Sequence, residues 1–205
     1  MFKNREDAGQ QLAQRLKKYK DQPYTLVVGL ARGGVVVAAE IAKALKIPLN
    51  VVVPRKVGAP HNPELGLGAV TGTGEAYLNE SLIRELGVSK AYLKQEIERE
   101  RAKAEERQTL YAQYAPKPNF HHQAVILVDD GIATGGTMLA AVQAVQKQKP
   151  ARLIVATPVC APSIMKALQK LVDEVVCVEM MDLGSVSMSY ESFPQVEDKE
   201  VIALL

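Results

Sequence analysis

The sequence VILVDDGIATGGT, residues 125–137, decides the fold class. Four apolar residues are followed by two adjacent aspartates and then by a turn made almost entirely of Gly, Ala and Thr. A short continuous apolar run is typical of a strand buried on both faces. Two neighbouring carboxylates repel each other and need water or a partner, so this segment indicates a site at the end of a buried strand.

Apolar runs and helical patterns alternate on both sides of this segment. Strands are predicted at 25–30, 49–54, 125–128, 152–159 and 174–179, and helices at 4–20, 35–45, 136–147 and from Pro162. This alternation predicts an α/β fold, a doubly wound parallel sheet of about five strands. Ligands bind such sheets beyond the carboxyl ends of the strands, so the segments after 25–30 and 125–128 are expected to share one rim.

The middle of the chain breaks the alternation. Residues 57–74 are rich in glycine and contain two prolines, which indicates a long irregular loop that could act as a lid. Asn79 is predicted to cap a short helix over 80–86, and Ser89 to cap a second helix that reaches about Tyr114.

The second of these helices has one thin apolar stripe on an otherwise charged surface. This pattern favours a solvated arm with a single packing face, and a dimer contact along the stripe is the alternative. The stripe consists of Leu93, Ile97, Ala104 and Tyr111.

Composition and charge exclude several classes of protein. The 205 residues suffice for one substantial domain, and a formal net charge of +2 gives no indication of a nucleic-acid partner or an acidic membrane surface. No apolar run approaches the roughly 20 residues of a membrane-spanning helix, and the polar N-terminus lacks a signal peptide, so a cytoplasmic location is expected. Cys160 and Cys177 are expected to be buried free thiols, and His121-His122 a solvated loop pair.

The turn at 132–137 has the composition of a phosphate site. Backbone N–H groups at a helix N-terminus are unpaired and the helix dipole favours an anion there, while Thr134 and Thr137 can add hydroxyl donors. The chain contains neither Gly-Lys-Ser/Thr nor Gly-x-Gly-x-x-Gly, which excludes a P-loop and a dinucleotide fingerprint. The adjacent acids can accept hydrogen bonds from sugar hydroxyls or hold hydrated Mg²⁺, so a sugar phosphate would satisfy both parts.

With these features the segment resembles the phosphoribosyl-pyrophosphate motif of type I phosphoribosyltransferases. The resemblance implies that Asp129 and Asp130 hold the ribose 2′- and 3′-hydroxyls. It also implies that the turn binds the 5′-phosphate through Ile132, Ala133, Thr134, Gly135, Gly136 and Thr137.

Two further segments resemble the same family in order and spacing. LARGG, residues 30–34, resembles the pyrophosphate loop, which often carries a non-proline cis peptide; this implies that Ala31, Arg32 and Gly33 bind pyrophosphate. Arg55-Lys56 resembles the Arg-Lys of orotate and adenine phosphoribosyltransferases, which implies that Lys56 reaches the pyrophosphate.

The resemblance extends over nearly the whole chain. RKVGAPHNPELGLGAV, residues 55–70, and SYESFPQV, residues 189–196, are most similar to a group of predicted phosphoribosyltransferases of unassigned substrate. The implied organisation is one domain over 1–205, with 57–120 as a flexible loop plus helical insertion and 180–205 as a C-terminal hood.

The implied activity is that of a pentosyltransferase of nucleotide metabolism, in purine or pyrimidine salvage. With Mg²⁺ it would transfer phosphoribosyl from 5-phosphoribosyl 1-pyrophosphate to a nitrogen nucleophile, such as a nucleobase-like acceptor, and release pyrophosphate. The expected catalytic residues are Lys56, Arg32, Asp129 and Asp130, with the metal held through ligand and water and not by direct protein ligands. A homodimer is expected, without nucleic acid or membrane as partners. The alternatives are a non-catalytic regulatory protein that binds the same ligand and a hydrolase of that ligand.

The sequence does not indicate the acceptor. Family members that use purines place an aromatic residue just beyond the last core strand, whereas residues 180–188 contain none before Tyr190. Met180 and Met181 could line an apolar pocket or fill the core. His61 and Glu64 are reachable as a general base in the predicted loop, where plain loop polarity is the simpler interpretation.

Overall fold

The computed structural model describes residues 1–72, 76–116, 118–182 and 184–205, with the side chains of residues 63 and 64 left out. In this part of the chain, helices α1 to α7 span Arg5–Arg15, Gly33–Leu45, Glu80–Glu85, Lys90–Ala112, Gly136–Lys147, Pro162–Leu168 and Asp198–Leu204. Strands β1 to β8 span Thr25–Leu30, Leu49–Val52, Pro54–Ala59, Asn62–Thr71, Ala76–Leu78, Ala124–Val128, Arg152–Cys160 and Glu174–Met180.

The main sheet has five parallel strands in the order β2-β1-β6-β7-β8. This arrangement confirms the predicted α/β fold with a parallel sheet. The chain moves outward from β1 in one direction and from β6 in the other, so the strand order reverses between these two central strands. A crevice therefore opens at their carboxyl ends, where ligands bind in doubly wound sheets.

Strand β6 is apolar throughout because helices cover both of its faces. Val125 and Leu127 pack against the layer that contains α5 and α6, whereas Ile126 and Val128 pack against the layer that contains α1 and α2. Successive side chains of a strand point to opposite faces, and all four of these are fully buried.

Several helix ends lie where the local sequence predicts them. The side chain of Asn79 accepts a hydrogen bond from the N–H of Leu82 at the start of α3, and Ser89 accepts one from Tyr92 at the start of α4. Helix α6 begins at Pro162. The helix predicted over 4–20 is divided into α1 and a short 3₁₀ turn at Lys17–Tyr19.

The interpretation of 57–74 as an irregular loop is wrong for its described part. Strands β3, β4 and β5 form a separate antiparallel sheet in that order, and the strand predicted at 49–54 ends at Val52 before β3 begins. Glycine allows close strand contact here, since a Cβ on Gly68 would lie 2.0 Å from the carbonyl oxygen of Tyr77. Residues 73 and 74 of the predicted loop lie outside the described residues.

The apolar stripe of α4 packs within the chain. Ala104 and Tyr111 are fully buried, and Leu93 and Ile97 are partly buried against the small sheet. The helix therefore has one packing face, as predicted, and Leu93 and Ile97 of the stripe keep part of their surface exposed.

The buried face of α4 also carries polar residues that the stripe did not indicate. The amide of Gln108 accepts from the backbone N–H of Val53 at 3.2 Å and donates to the carbonyl of Val51 at 3.3 Å. The side chain of Gln108 thereby supplies the hydrogen bonds that a further strand would make at the unpaired edge of β2.

The two ends of the chain pair with each other beside the main sheet. Phe2 forms a parallel bridge with Tyr190, and the Phe2 N–H donates to Ser189 at 2.8 Å. The part of the predicted hood that is described thus consists of a 3₁₀ turn at Val186–Ser189, an extended segment and α7, held together with the N-terminus. No helix in the described ranges has the length and apolarity to cross a membrane.

The cysteines, the histidine pair and the methionines that the sequence singles out differ in exposure. Cys160 is buried as expected, Cys177 is half-buried, and His121 and His122 are exposed. The two methionines at the end of β8 do not fill the core, since Met180 is 64% and Met181 40% exposed.

Candidate functional site

The two loops that the sequence assigns to one rim are in contact. They follow β1 and β6, which are neighbours in the sheet. A Cβ on Gly34 would lie 2.7 Å from the carbonyl oxygen of Val128 and 2.9 Å from Cα of Asp129. Glycine at this position therefore lets the start of α2 lie directly against the acid pair.

The turn before α5 presents unpaired amides. Within the described residues, the backbone N–H groups of 133–137 donate no hydrogen bond. Gly135 has φ of 78° and precedes the helix, a left-handed conformation that favours glycine. These N–H groups lie at the positive end of the α5 dipole, so the turn is suited to bind an anion.

Ile132 does not belong to the set of amide donors that the sequence predicts. Its N–H donates to the carbonyl of Val159 at 2.9 Å, and its own carbonyl accepts from Ala161 at 3.1 Å. Its side chain is buried in the core, so Ile132 extends the pairing of β6 with β7 by one bridge and anchors the turn.

Each aspartate of the pair has one carboxyl oxygen engaged within the protein. Oδ1 of Asp129 accepts from the backbone N–H of Asp130 at 2.9 Å, and Oδ2 of Asp130 accepts from Nε of Arg5 at 2.7 Å. In the part of the chain that the structure describes, no N–H group donates to the second oxygen of either carboxyl. Two acceptor oxygens are therefore left for the hydroxyls of a ligand.

The electrostatics of the pair favour a ligand that carries donors. Burial raises the pKa of Asp129 above its usual range, and the neighbouring charge of Asp130 raises it further. The side chain of Arg5 opposes this effect. A hydroxyl group that donates to the carboxylate would stabilise its charged form.

Arg5 is the partner of the acid pair that sequence reasoning missed. It lies at the start of α1, 125 residues from Asp130, and its side chain is 8% exposed. The Tyr190 hydroxyl donates to the backbone carbonyl of Asp130 from the other end of the chain. No local pattern in the sequence signals either contact, because both depend on how the termini meet.

The loop after β1 forms a second helix N-terminus on the same rim. The peptide bond between Ala31 and Arg32 is cis, and Arg32 is the residue that precedes α2. The Ala31 N–H donates to the carbonyl of Val52 at 2.9 Å and is therefore not available to an anion. Among the described residues, the backbone N–H groups of Arg32 and Gly33 donate no hydrogen bond. They can therefore donate to an anion together with the guanidinium of Arg32.

Lys56 lies on the face of the small sheet that is turned toward α5. It pairs with Ala69, which pairs with Tyr77, and directly opposed residues of neighbouring strands share a face. Tyr77 packs on the core cluster that contains the α5 residues Met138 and Leu139. The exposed side chain of Lys56 is therefore on the side of the sheet that faces the helix carrying the phosphate turn.

Arg55, the residue before Lys56, lies on the opposite face of the small sheet, against α4. Nε of Arg55 donates to Glu100 of α4 at 2.9 Å, and Lys103 donates to the same carboxylate at 2.7 Å. Although burial opposes ionisation of Glu100, these hydrogen bonds hold its pKa below the usual value. Because adjacent strand residues point in opposite directions, the Arg55–Glu100 pair turns Lys56 away from α4.

Of the two candidates for a general base, the structure describes only the side chain of His61. His61 is exposed in the hairpin turn between β3 and β4, where its φ is 62°, as plain loop polarity implies. The side chain of Glu64 lies outside the described residues.

The acid pair could hold a metal together with a bound ligand. The described residues contain no group of three or more His, Cys, Asp or Glu side chains that could form a protein cage. Mg²⁺ usually keeps several waters and binds through one or two carboxylates together with substrate phosphates, which the acid pair and the two helix N-termini accommodate.

Comparisons with known proteins agree with this geometry. The family model described as phosphoribosyl transferase domain matches residues 73–192, more than half of the chain. The protein TT1426 of Thermus thermophilus has 40% sequence identity and a TM-score of 0.82, with 99% of this chain and 96% of that chain covered. A purine phosphoribosyltransferase of Pyrococcus horikoshii shares the fold, with 18% identity, a TM-score of 0.50 and coverage of 93% and 87%.

A curated relative is longer than this chain. The Mycobacterium tuberculosis protein named "Putative phosphoribosyl transferase" is 35% identical over 206 residues, which cover 100% of this chain and 46% of the relative. The chain thus spans about half the length of the curated relatives it matches. On its match to the family model and on its fold, the chain belongs to the phosphoribosyl transferase domain family and has the architecture of the type I phosphoribosyltransferases.

Proposed function

We propose that the protein transfers a phosphoribosyl group from 5-phosphoribosyl 1-pyrophosphate to a nitrogen nucleophile and releases pyrophosphate. The observation that carries this proposal is the junction after β6. Among the described residues, the amides of 133–137 have no hydrogen-bond partner, and they adjoin two carboxyl groups that each retain an acceptor oxygen. A pentose 5-phosphate would satisfy both sets of groups at once.

Each part of the rim has a role in the proposed reaction. The amides of 133–137 bind the 5′-phosphate, and Asp129 and Asp130 accept from the ribose hydroxyls. Arg32 and Gly33, on the neighbouring loop, bind the pyrophosphate together with Lys56 from the small sheet. When Mg²⁺ is bound, it supplies charge neutralisation for the pyrophosphate.

The proposed chemistry is substitution at C1 of the ribose. The lone pair of the acceptor nitrogen forms the new bond to C1, the bond from C1 to the pyrophosphate oxygen breaks, and its electrons leave with pyrophosphate. Any proton on the attacking nitrogen is lost to solvent or to a base. Positive charge that develops on the sugar is stabilised by the neighbouring carboxylates, and the small sheet with Lys56 excludes water from the reacting centre.

The acceptor is proposed to be nucleobase-like. Met180 ends β8 and Met188 lies in the 3₁₀ turn that follows, and both are more than 60% exposed, so each offers an apolar and polarizable side chain to an acceptor. A role in purine or pyrimidine salvage, a cytoplasmic location and a homodimer belong to the same proposal.

Binding and turnover can be tested separately. Thermal-shift measurements with 5-phosphoribosyl 1-pyrophosphate, ribose 5-phosphate and free ribose, with and without Mg²⁺, should show stabilisation by the two phosphorylated sugars and not by ribose. A panel of purine and pyrimidine bases is then assayed for pyrophosphate release. Failure of both phosphorylated sugars to stabilise the protein would contradict the proposal.

The turnover assay also distinguishes the alternatives. Base-dependent pyrophosphate release supports the transferase. Pyrophosphate release without any acceptor would support the hydrolase, and ligand binding without turnover on the whole panel would support the regulatory protein. The variant Asp129→Asn serves as the control that removes one hydroxyl acceptor.

A further inference from the structure

The side chain of Arg5 is fixed from three directions. Its Nε donates to Oδ2 of Asp130 at 2.7 Å, and its Nη1 donates to the carbonyl of Pro194 at 2.7 Å. The guanidinium carbon lies 3.7 Å from the centre of the Phe193 ring. The planar group is thus held by hydrogen bonds in its plane and by the aromatic ring on its face, a combination that lysine cannot reproduce.

The neighbouring backbone is shaped around this contact. A Cβ on Gly33 would lie 1.9 Å from Oδ2 of Asp130 and 2.9 Å from Nε of Arg5. Any other residue at Gly33 would therefore displace the ion pair. The side chains of the pair are 8% and 15% exposed, so they are also removed from most of the solvent that would screen them.

With this contact, one oxygen of each aspartate accepts a hydrogen bond within the protein. Arg5 takes one oxygen of Asp130, while the backbone N–H of Asp130 takes one oxygen of Asp129. The positive charge of Arg5 also offsets the repulsion between the two carboxylates. Both contacts orient the remaining oxygens toward a ligand, and the charge of Arg5 opposes the rise in the pKa of Asp129.

We propose that Arg5 is a positioning residue of the pentose site, through which residues 190–196 hold Asp130 in the geometry that accepts a ribose hydroxyl. The inference rests on the proposed function, because it assigns the hydroxyl-binding role to the acid pair. The C-terminal segment reaches the site by two routes, the Tyr190 hydroxyl on the Asp130 carbonyl and Pro194 and Phe193 on Arg5.

The test compares Arg5→Gln, Arg5→Lys and the control Arg15→Gln. Arg15 belongs to the same helix, and its guanidinium donates to the carbonyl of Val178 and not to the acid pair. Calorimetry with ribose 5-phosphate should give a Kd about 10-fold higher for Arg5→Gln, as expected for a weakened charged hydrogen bond, with partial recovery in Arg5→Lys. Arg15→Gln should bind as the wild type does.

Kinetics and a simpler ligand separate positioning from general loss of structure. The KM for 5-phosphoribosyl 1-pyrophosphate should rise in Arg5→Gln while the binding of inorganic phosphate, which needs only the turn at 133–137, stays unchanged. If Arg5→Gln fails to fold, Phe193→Leu keeps the arginine and removes its aromatic support, and it should raise the Kd for ribose 5-phosphate in the same direction.

The outcomes distinguish the two proposals. Wild-type affinity for ribose 5-phosphate in folded Arg5→Gln, or in Phe193→Leu where Arg5→Gln is unfolded, would overturn the role of Arg5 and leave the transferase proposal intact. A wild-type protein that binds neither ribose 5-phosphate nor inorganic phosphate would overturn the proposed function, and the role of Arg5 with it.

Discussion

The rim of the main sheet and the segment from β3 to α4, residues 54–112 and here called the insertion, differ in how their functional groups are held. On the rim, the acid pair and the amide turn follow directly from a buried strand, and glycines let neighbouring loops lie against them. In the insertion, Lys56 is oriented by distant residues, since Arg55 is held by Glu100 of α4 and the edge of β2 by Gln108. The comparison teaches that the groups of the rim are placed by the strand that precedes them, whereas those of the other region are placed by contacts between distant elements.

Gly33→Ala is expected to have the largest effect on the rim. Its Cβ would lie 1.9 Å from the Asp130 carboxylate, so the ion pair with Arg5 must move. Loss of two charged contacts, each worth about 1.5–3 kcal/mol, should raise the Kd for ribose 5-phosphate about 100-fold or more in calorimetry. Gly66→Ala is the matched control in the insertion, because the nearest atom to its Cβ would be the flexible Lys56 Cδ at 3.4 Å. Equal loss of ribose 5-phosphate binding in both variants would contradict the division between the two regions.

Asp129→Asn should separate binding from stability on the rim. It removes one charged acceptor, so the Kd for ribose 5-phosphate should rise about 10- to 100-fold. The variant should nevertheless melt at a higher temperature than the wild type at neutral pH, because desolvation and the charge of Asp130 both disfavour the charged form of Asp129.

The pH dependence of this difference has a definite sign. The pKa of Asp129 is raised in the folded protein, so its contribution to stability is fully present below the unfolded value of about 3.9 and is lost as the pH rises through the folded value. The melting temperatures of the two proteins should therefore converge near pH 4 and separate toward pH 8. A gap that widens toward acid would contradict this account of the acid pair.

Lys56→Ala tests the role of the insertion. Turnover of 5-phosphoribosyl 1-pyrophosphate should fall about 10- to 100-fold, as expected when one charged contact to pyrophosphate is lost. The Kd for ribose 5-phosphate should not change, because that ligand has no pyrophosphate. Lys166→Ala, an exposed lysine on α6, is the control and should leave both quantities unaltered. A clear fall in the melting temperature with little change in turnover would make Lys56 a structural residue.

Tyr111→Phe should have the smallest effect and should act on stability alone. The Tyr111 hydroxyl donates to Asp198 and thereby links α4 to α7. Burial is the largest cause that raises the pKa of this tyrosine, and the hydrogen bond to Asp198 is the second. Loss of one such bond is worth about 1 kcal/mol, which lowers Tm by about 2–4 °C in a chain of this size. Scanning calorimetry measures the shift, and a change in ribose 5-phosphate affinity would show that the insertion and the rim are coupled.

Local sequence was sufficient for the elements that are stabilised within a few residues. The apolar run 125–128 predicts a strand covered on both faces, and Asn79 and Ser89 mark helix starts because their side chains bond to N–H groups three residues ahead. Local sequence fails for the described part of 57–74, because glycine disfavours a strand locally, whereas here it permits β4 to approach its partners closely.

The sequence alone therefore determined the parallel sheet, the acid pair and the Gly/Thr turn that follows it. Tertiary structure decided that Arg5 engages Asp130, that Ile132 and Ala31 have their N–H groups occupied, and that Lys56 faces α5. The physical reason is distance along the chain: periodicity and capping act over a few residues and leave a local pattern, whereas a guanidinium meets a carboxylate 125 residues away only after the sheet and both termini have packed.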